Sequence, residues 1–320
     1  MCENRISEND LIEIFICPCC LNAPLKKITE AALHCADTSC YGYEHPFTII
    51  DKQPILIDFR SSFFKKENYN NAQLGKVLSR RKGKFHAIIK KIIHGNGLKS
   101  KLKVDALIHH LAKTNRHANL LIVGGGAIGN GTQAVYNNAT INTVSFDIYL
   151  SDNTNFVADA HQIPLKDASF DAVIVQAVLE HVISPAKVVD EIYRVLKPGG
   201  LVYAETPFMQ QVHEKAYDFT RFTESGHRWL FKHFELIESG AVAGPAVALG
   251  WSIRYFFAGL FRSKRAGQFF SLLFFWLRFF DKLMPETFQS DGASCFFFLG
   301  KKSDAVISEK DIISFYRGVK

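Results

Sequence analysis

Two groups of residues in this 320-residue chain have types and spacings suited to chemistry. The first is a glycine run. The stretch LLIVGGGAIGNG, Leu120–Gly131, leads from apolar residues into five glycines over eight positions, and Gly124, Gly126 and Gly129 carry the G-x-G-x-x-G spacing. Residues without a Cβ let a ligand lie directly on the backbone. That spacing serves a dinucleotide or another adenosine-bearing ligand, so context must decide. Eighteen residues beyond Gly129, the apolar stretch NTVSFD ends in Asp147, where a carboxylate would accept from both ribose hydroxyls. The second group is cysteine. Cys17 and Cys20 form a C-x2-C pair, Cys35 and Cys40 a C-x4-C pair, and fourteen residues separate the pairs. Four thiolates on two tight turns suit tetrahedral zinc, and in a reducing compartment such clustering favours metal over disulfides. Cys19 is an alternate to Cys17, and His34 or His45 could replace a thiolate. The competing reading is free thiols packed as small apolar residues.

These residues need elements to hold them. Asn119–Val123 reads as a buried strand, followed by the glycine turn and a helix start. A second strand ends at Asp147, a third at Asp159, and a fourth covers Asp171–Val175, after a loop carrying Ile163 and Pro164. VVDEIYRVLKPGGLVYAETP gives a helix, a Pro-Gly-Gly turn and a fifth strand. The alternation predicts an α/β fold: a Rossmann-like, doubly wound, mostly parallel sheet with its ligand over the carboxyl ends of the strands. The stretch from Asp147 to Asn155 is too short for a full connecting helix.

Taken together, Gly124/Gly126/Gly129, Asp147, ADAHQIP, SFDAV, VLEHV and LKPGG resemble a class I S-adenosylmethionine-dependent methyltransferase, of the broad type that includes ubiquinone-biosynthesis enzymes. The resemblance covers about residues 115–240. One departure is Gly125, where members often carry Cys. The resemblance implies S-adenosyl-L-methionine as cofactor. Gly124, Gly125, Gly126 and Gly129 would lie against its methionine part and Asp147 would grip the ribose. Asp159 would accept from the adenine amino group, Ala160 would border the ring, and Gln176 would sit near the amino acid end. The competing reading for Asp147 and Asp159 is helix capping or solvated turns.

The loop TPFMQQVHEKAYDFTRFTESGHRWLF follows the fifth strand. It resembles a pattern, H-x-x-P-x-D-x-x-R-x-T, in methyltransferases linked to bacterial glycan and lipid pathways, with Ala216 in place of the proline. The resemblance implies an acceptor site here. His213 is the candidate base, with Asp218 orienting or replacing it. Arg221 would hold a phosphate or carboxylate of the substrate, or pair with Asp218 as scaffold, and Thr223 would cap a helix. His181, in LEHV, is a structural residue near the cleft or a substrate contact. CYGYEHPFTIIDKQPILIDF resembles the ending of small zinc-ribbon proteins, including the ribbon activator of tRNA methyltransferases, with Lys52-Gln53 where a glycine is usual.

The organisation expected is a zinc-ribbon-like module over 1–60, a basic connector over 61–114, a methyltransferase domain over 115–303 and a tail over 304–320. The connector has no acidic residue from Asn68 to Val104, and Phe85, Ile88, Ile89, Ile92 and Ile93 recur at helical spacing among lysines. Such a helix packs on the main domain, lies on an anionic membrane, or faces nucleic acid. Thirteen of the 28 phenylalanines fall between Phe256 and Phe298. Residues 241–293 read as an insertion that is a lid, an interfacial segment or plain core, and ASCFFFLGKK as the closing strand of the sheet. The polar start MCENRISEND is not that of a secretory leader. No apolar run reaches the roughly 20 residues that span a bilayer. The expected location is cytoplasmic, at the inner face of the membrane if the membrane reading holds. The expected acceptor is a small molecule, lipid-linked or glycan-type, with peripheral membrane contact. Nucleic acid is disfavoured, because RNA readers interleave aromatic with basic residues. The alternatives are a zinc-module rRNA or tRNA methyltransferase and a non-catalytic partner built on the same fold.

Overall fold

The computed structural model describes residues 6–69, 97–114 and 117–319. The basic amphipathic helix expected around Phe85–Ile93 lies outside the described residues. Eleven strands form one sheet: β1 (Leu25–Thr29), β2 (Ala32–Cys35), β3 (Phe47–Ile50), β4 (Gln53–Leu56), β5 (Ala118–Val123), β6 (Ile141–Asp147), β7 (Phe156–Ala158), β8 (Phe170–Gln176), β9 (Leu196–Pro207), β10 (Phe234–Ala243) and β11 (Cys295–Lys302). Their order is β1-β2-β3-β4-β7-β6-β5-β8-β9-β11-β10. The central strands β7, β6, β5, β8 and β9 are parallel, with Leu120–Val123 paired to Thr143–Phe146 on one side and to Ala172–Val175 on the other. Their middles are mostly apolar and buried, as in Leu120–Val123 and Ala172–Val175, because helices cover both faces. Helix Leu98–Thr114 buries Val104, Leu107 and Leu111 on one face of the sheet. Helix Pro185–Val195 buries Val188, Val189, Ile192 and Val195 on the other, one apolar stripe at helical spacing.

The order of the chain reverses at β5, which has β6 on one side and β8 on the other. The loops after β5, β6 and β8 therefore open a crevice at the carboxyl ends, where ligands bind in such sheets. No helix separates β6 from β7, as the short stretch after Asp147 requires. The run Cys295–Lys302 does not close the sheet. It inserts antiparallel between β9 and β10, leaving β10 at the edge. Phe296 and Phe297 lie on opposite faces of that strand and both are buried, so its position is interior.

Residues 6–56 extend the other edge. The hairpin β3–β4 turns on Asp51 and Lys52, both with positive φ (+49° and +64°), the pairing of a two-residue turn that matches strand twist. Lys52 thus holds a conformation that glycine adopts more easily. Gln53, beside it, donates to Ser151 O (2.8 Å) and accepts from Thr154 Oγ1 (2.6 Å). β4 then pairs in parallel with β7 through Ile55 and Leu56. Phe15 packs edge-on against Phe156, with ring centroids 5.1 Å apart, and Leu25, Leu33 and Phe47 join the same core. The module is welded to the main sheet rather than tethered to it.

Between β10 and β11 the chain leaves the sheet for helices Pro245–Leu260, Lys264–Leu273 and Glu286–Gly292, with a 3-10 segment over Phe275–Lys282. Phe257 stacks on Phe270 at 3.6 Å, joining the first two helices. The Asp281 carboxylate accepts from Gly244 N and Ala246 N and so caps the first of them. The helices turn many aromatic side chains outward, which removes the plain-core reading of this insertion. Among the described residues no helix is long and apolar enough to cross a membrane.

Candidate active site

β5 runs straight into Gly124, which turns at φ +77°. A Cβ there would lie 2.2 Å from Val178 Cγ2. At Gly126 it would meet the Tyr149 ring at 2.5 Å, and at Gly129 it would meet Gln176 Oε1 at 2.4 Å. At Gly125 it would lie 2.7 Å from Ser145 Cβ. The glycine loop is therefore walled by side chains from the loops after β6 and β8, and no larger residue fits without displacing them. Asp147 ends β6 and braces this loop: Oδ2 accepts from Gly126 N (2.9 Å) and Oδ1 from Ile148 N (2.7 Å). The Tyr149 backbone also bonds this carboxylate, which leaves room for a further donor at one oxygen. Burial pushes the Asp147 carboxyl up to about 6, against the pull of those backbone N–H groups. Ser151 Oγ (2.7 Å) and Asn153 Nδ2 (3.3 Å) both donate to Gly126 O, so the stretch that lacks a helix serves as a clamp.

Gln176 ends β8. Its Nε2 donates to Asn130 O (3.2 Å), and its Oε1 is buried without a partner. The next residue, Ala177, has φ +52°, a strained conformation for a residue with a Cβ and of the kind that collects at functional sites. Asp159 is already well engaged. Its Oδ1 accepts from His161 N (3.0 Å) and faces His161 Nδ1 (2.6 Å), and its Oδ2 accepts from Ser62 Oγ (2.5 Å). Burial alone would raise its carboxyl, but His161 and Ser62 hold it low. Ala160 is buried beside it. Ser62 belongs to the stretch after β4, which also sends Tyr69 OH to Ile148 O (2.9 Å) and stacks Phe64 beside Tyr217. The N-terminal module thus supplies part of the crevice wall.

The acceptor-side residues come together over the 3-10 turn Leu179–His181. Phe219 N (2.8 Å) and Thr220 N (3.3 Å) both donate to Glu180 O, which folds the loop after β9 onto that turn. The rings of His181 and His213 then meet edge to face at 4.9 Å. His213 N donates to Asp218 Oδ2 (2.7 Å), and His213 Nδ1 lies 3.3 Å from the same oxygen. Burial alone would raise Asp218, but the Arg221 guanidinium and the His213 N–H hold its carboxyl far below the usual carboxylate range. Its contacts with the His213 N–H and with Arg221 place Asp218 where it could orient the imidazole.

Arg221 differs from its expected substrate role. Its Nε donates to Gln210 O (2.9 Å), and its two Nη groups donate to Asp218, to Thr220 O (2.8 Å) and to Gln211 O (3.2 Å). All five guanidinium N–H groups are thereby used, and none remains for a phosphate or carboxylate. It is the scaffold of this loop. Thr223 Oγ1 accepts from Gly226 N and caps helix Glu224–Leu230. An open cleft of about 490 Å³, lined by Gln211, Val212, Asp218, Phe219, Arg221 and Tyr255, lies beside the loop. Tyr255 OH donates to Val212 O (2.7 Å) and Gln211 Nε2 to Ser252 Oγ (3.1 Å), fastening the loop to the first helix of the Phe-rich insertion.

Glu180 was not singled out in the sequence, yet it is buried, 1% exposed, with both oxygens lacking a hydrogen-bond partner. Burial pushes it up to about 8. The signal for it was a Glu placed between Leu179 and His181 in a loop whose flanking apolar residues turn inward. His181 Nδ1 pairs with Tyr217 O at 2.7 Å, and burial lowers its imidazole.

Residues 128–204 match a family described as a methyltransferase domain. That stretch of the chain is thus a methyltransferase domain, on the Rossmann-like sheet described above. The matched stretch holds Gly129, Asp147, Asp159, Gln176 and His181. Within curated proteins, 52 residues are 50% identical to a demethylmenaquinone methyltransferase of Clavibacter sepedonicus, covering 16% of this chain and 21% of that one. A stretch of 85 residues is 35% identical to a ubiquinone/menaquinone biosynthesis C-methyltransferase of Brucella anthropi, covering 26% and 28%. The chain thus spans about a fifth to a quarter of the length of these relatives. A solved structure of phosphoethanolamine N-methyltransferase 2 of Haemonchus contortus with S-adenosyl-L-methionine is 18% identical, covering 72% of this chain and 60% of that one, with a TM-score of 0.44. The crevice of the methyltransferase domain fits S-adenosyl-L-methionine. It offers an Asp147 carboxylate for ribose hydroxyls and the unpartnered Gln176 Oε1 for an ammonium group, beside glycines on which Val178, Tyr149 and Gln176 already pack.

A second donor set stands apart from the crevice. The sulfurs of Cys17, Cys20, Cys35 and Cys40 all lie within 4.8 Å of one another, with Cys17–Cys40 at 3.7 Å and Cys20–Cys35 at 3.8 Å. A regular tetrahedron with metal–sulfur bonds of about 2.3 Å has sulfurs about 3.8 Å apart, so the set fits a four-thiolate ion. His34 and His45 stack on Tyr43 and Tyr41 instead, and the Cys19 N–H donates to Cys17 Sγ (3.4 Å).

Proposed function

We propose that the protein is a methyltransferase that moves the methyl group of S-adenosyl-L-methionine to a small acceptor of the lipid-linked or glycan-type class, working near a membrane surface. The observation that carries this reading is the join between the two ends of the crevice. The acceptor loop that presents His213 is hydrogen-bonded to an insertion whose Phe256, Phe269, Trp276 and Phe279 face solvent. An exposed apolar patch of this size marks a contact surface, and Arg262, Lys264, Arg265, Arg278 and Lys282 on the same insertion suit anionic lipid.

The cofactor supplies an electrophilic methyl carbon on a sulfonium with an excellent leaving group. The chain's own residues then need to bind, orient and exclude water. The glycine loop lies against the methionine part, Asp147 grips the ribose, Asp159 accepts from the adenine amino group with Ala160 bordering the ring, and Gln176 meets the amino acid end. On the acceptor side, His213 is the base for a hydroxyl acceptor, with its imidazole oriented by Asp218. His181 packs against His213 and limits where the acceptor sits. The four cysteines hold zinc as a structural staple. A small-molecule acceptor is also what the name of one relative, the demethylmenaquinone methyltransferase, indicates. The test is incubation of cell fractions with methyl-labelled cofactor. Label in the organic-extractable fraction supports the reading. Label confined to RNA would favour an RNA acceptor, and no transfer at all would favour a non-catalytic partner.

A further inference from the structure

We infer that Glu180, His181 and His213 bind one divalent transition-metal ion at the acceptor end of the crevice, a site distinct from the cysteine cluster. One ligand atom from each lies within 4.8 Å of the other two. Nε2 of His181 is 3.6 Å from Glu180 Oε1, and Nε2 of His213 is 3.9 Å from the same oxygen. These separations are too long for hydrogen bonds. They are a few tenths of an ångström wider than the roughly 3.0–3.4 Å between neighbouring ligands around an ion with bonds of about 2.1 Å. A small inward movement closes the set.

The tautomers are fixed as ligation requires. His181 Nδ1 faces a backbone carbonyl, Tyr217 O, at 2.7 Å, and a carbonyl can only accept, so the proton sits on Nδ1. His213 Nδ1 faces Asp218 Oδ2 and Gln211 O, each at 3.3 Å and each an acceptor. Both Nε2 atoms therefore present lone pairs to the same carboxyl group. A carboxylate or a backbone carbonyl on the far nitrogen is the usual support of a metal-binding histidine. The two Glu180 oxygens, buried and unpartnered, are the third part of the argument. A buried polar group without a partner is costly, and a cation bound by two imidazoles removes that cost.

Two histidines and one carboxylate leave further coordination positions open. On the methyl-transfer reading, on which this role rests, an acceptor oxygen occupies one of them. Its proton passes to solvent, the oxygen forms a bond to the methyl carbon, and the carbon–sulfur bond breaks with its electron pair returning to sulfur. A ligated Nε2 cannot also take that proton, so in the cation-bound protein His213 is a ligand and not the base.

The experiment titrates Mn2+ into the purified full chain, with the ion of its cysteine cluster retained, and follows free Mn2+ by electron paramagnetic resonance. One Mn2+ per chain is expected, with affinity at least tenfold weaker in Glu180→Gln and in His213→Gln. Calorimetric titration with S-adenosyl-L-methionine checks that these variants are folded. In the wild-type chain, which needs no substitution, Mn2+ should broaden the imidazole proton resonances of His181 and His213 before those of other histidines. No binding up to millimolar Mn2+, equal binding by both variants, or broadening elsewhere first would overturn the site. A chain that binds Mn2+ here but no S-adenosyl-L-methionine would support the site and sink the methyl-transfer reading.

Discussion

The methyltransferase sheet carries an addition at each edge, and the two treat their apolar residues in opposite ways. At the β7 edge the N-terminal module spends them on the fold: Phe15, Leu33 and Phe47 are buried in a core shared with Phe156 and Phe170. Each such side chain contributes roughly 1.5–3 kcal/mol. At the β10–β11 edge the insertion leaves them in solvent: Phe256 is 63% exposed, Phe269 62% and Leu283 77%. Similar composition therefore has two uses. One addition completes the domain and walls its crevice through Ser62 and Tyr69. The other is held by its own stacking, the Asp281 cap and hydrogen bonds of Tyr255 and Ser252 with the acceptor loop, and presents a surface.

The sharpest way to break this comparison is at the cysteine cluster. Cys35→Ser/Cys40→Ser should release one zinc per chain and, because β4 pairs with β7, lower the stability of the whole domain. Structural zinc is worth of order 10 kcal/mol in small modules, so most of the chain should be unfolded at 37 °C. Calorimetric unfolding checks this. A free module that melts alone, ahead of an unchanged main transition, would show that the two are independent.

On the acceptor side, without added divalent ion and so with His213 Nε2 unligated, His213→Ala should lower turnover by about 10²- to 10⁴-fold while leaving cofactor affinity within a few-fold, the span expected for loss of a positioned proton acceptor. Single-turnover kinetics with labelled cofactor reads this directly. Equal losses in turnover and in cofactor binding would mean that the change had disturbed the cradle instead.

The insertion should respond in the opposite sense to the cysteines. Phe256→Ser/Phe269→Ser/Leu283→Ser changes exposed residues, so the melting temperature should stay within a few degrees while sedimentation with anionic vesicles falls by tenfold or more. Unchanged vesicle binding would leave the insertion as a lid over the acceptor rather than a membrane contact.

How much of this was legible depended on whether a residue acts through its own backbone or through folding at a distance. The parallel sheet and the glycine loop were readable because Gly124, Gly126 and Gly129 sit within one turn, and strand patterns carry their own period. The cysteine pairs were readable for the same reason. Asp218 and Arg221 were recognised, but only the fold shows that Arg221 spends all five N–H groups on its own loop. Glu180 was passed over because its meaning lies in burial and in a histidine 33 residues away. Ser62 and Tyr149 were missed because nothing local marks a hydroxyl that will meet Asp159, or a ring that will lie on Gly126. The position of Cys295–Lys302 inside the sheet was also not local information, since strand order is decided by pairing between distant segments.

The smallest expected effect belongs to pH. If the Asp147 carboxylate holds the ribose, as proposed, its pKa sets the pH dependence of cofactor binding, and burial raises that group to about 6. Its protonated form loses an acceptor, so affinity should hold above pH 7 and weaken by up to about tenfold per unit as pH falls below 6.

The account rests most directly on cofactor binding, and calorimetric titration of S-adenosyl-L-methionine into the wild-type chain and Asp147→Ala at pH 7.5 tests it. One site per chain is expected, with affinity at least tenfold lower in the variant. Hydrogen bonds to a charged group are worth roughly 1.5–3 kcal/mol, and the two ribose hydroxyls lose theirs. No binding by the folded wild-type chain, or identical affinity in Asp147→Ala, would contradict the account.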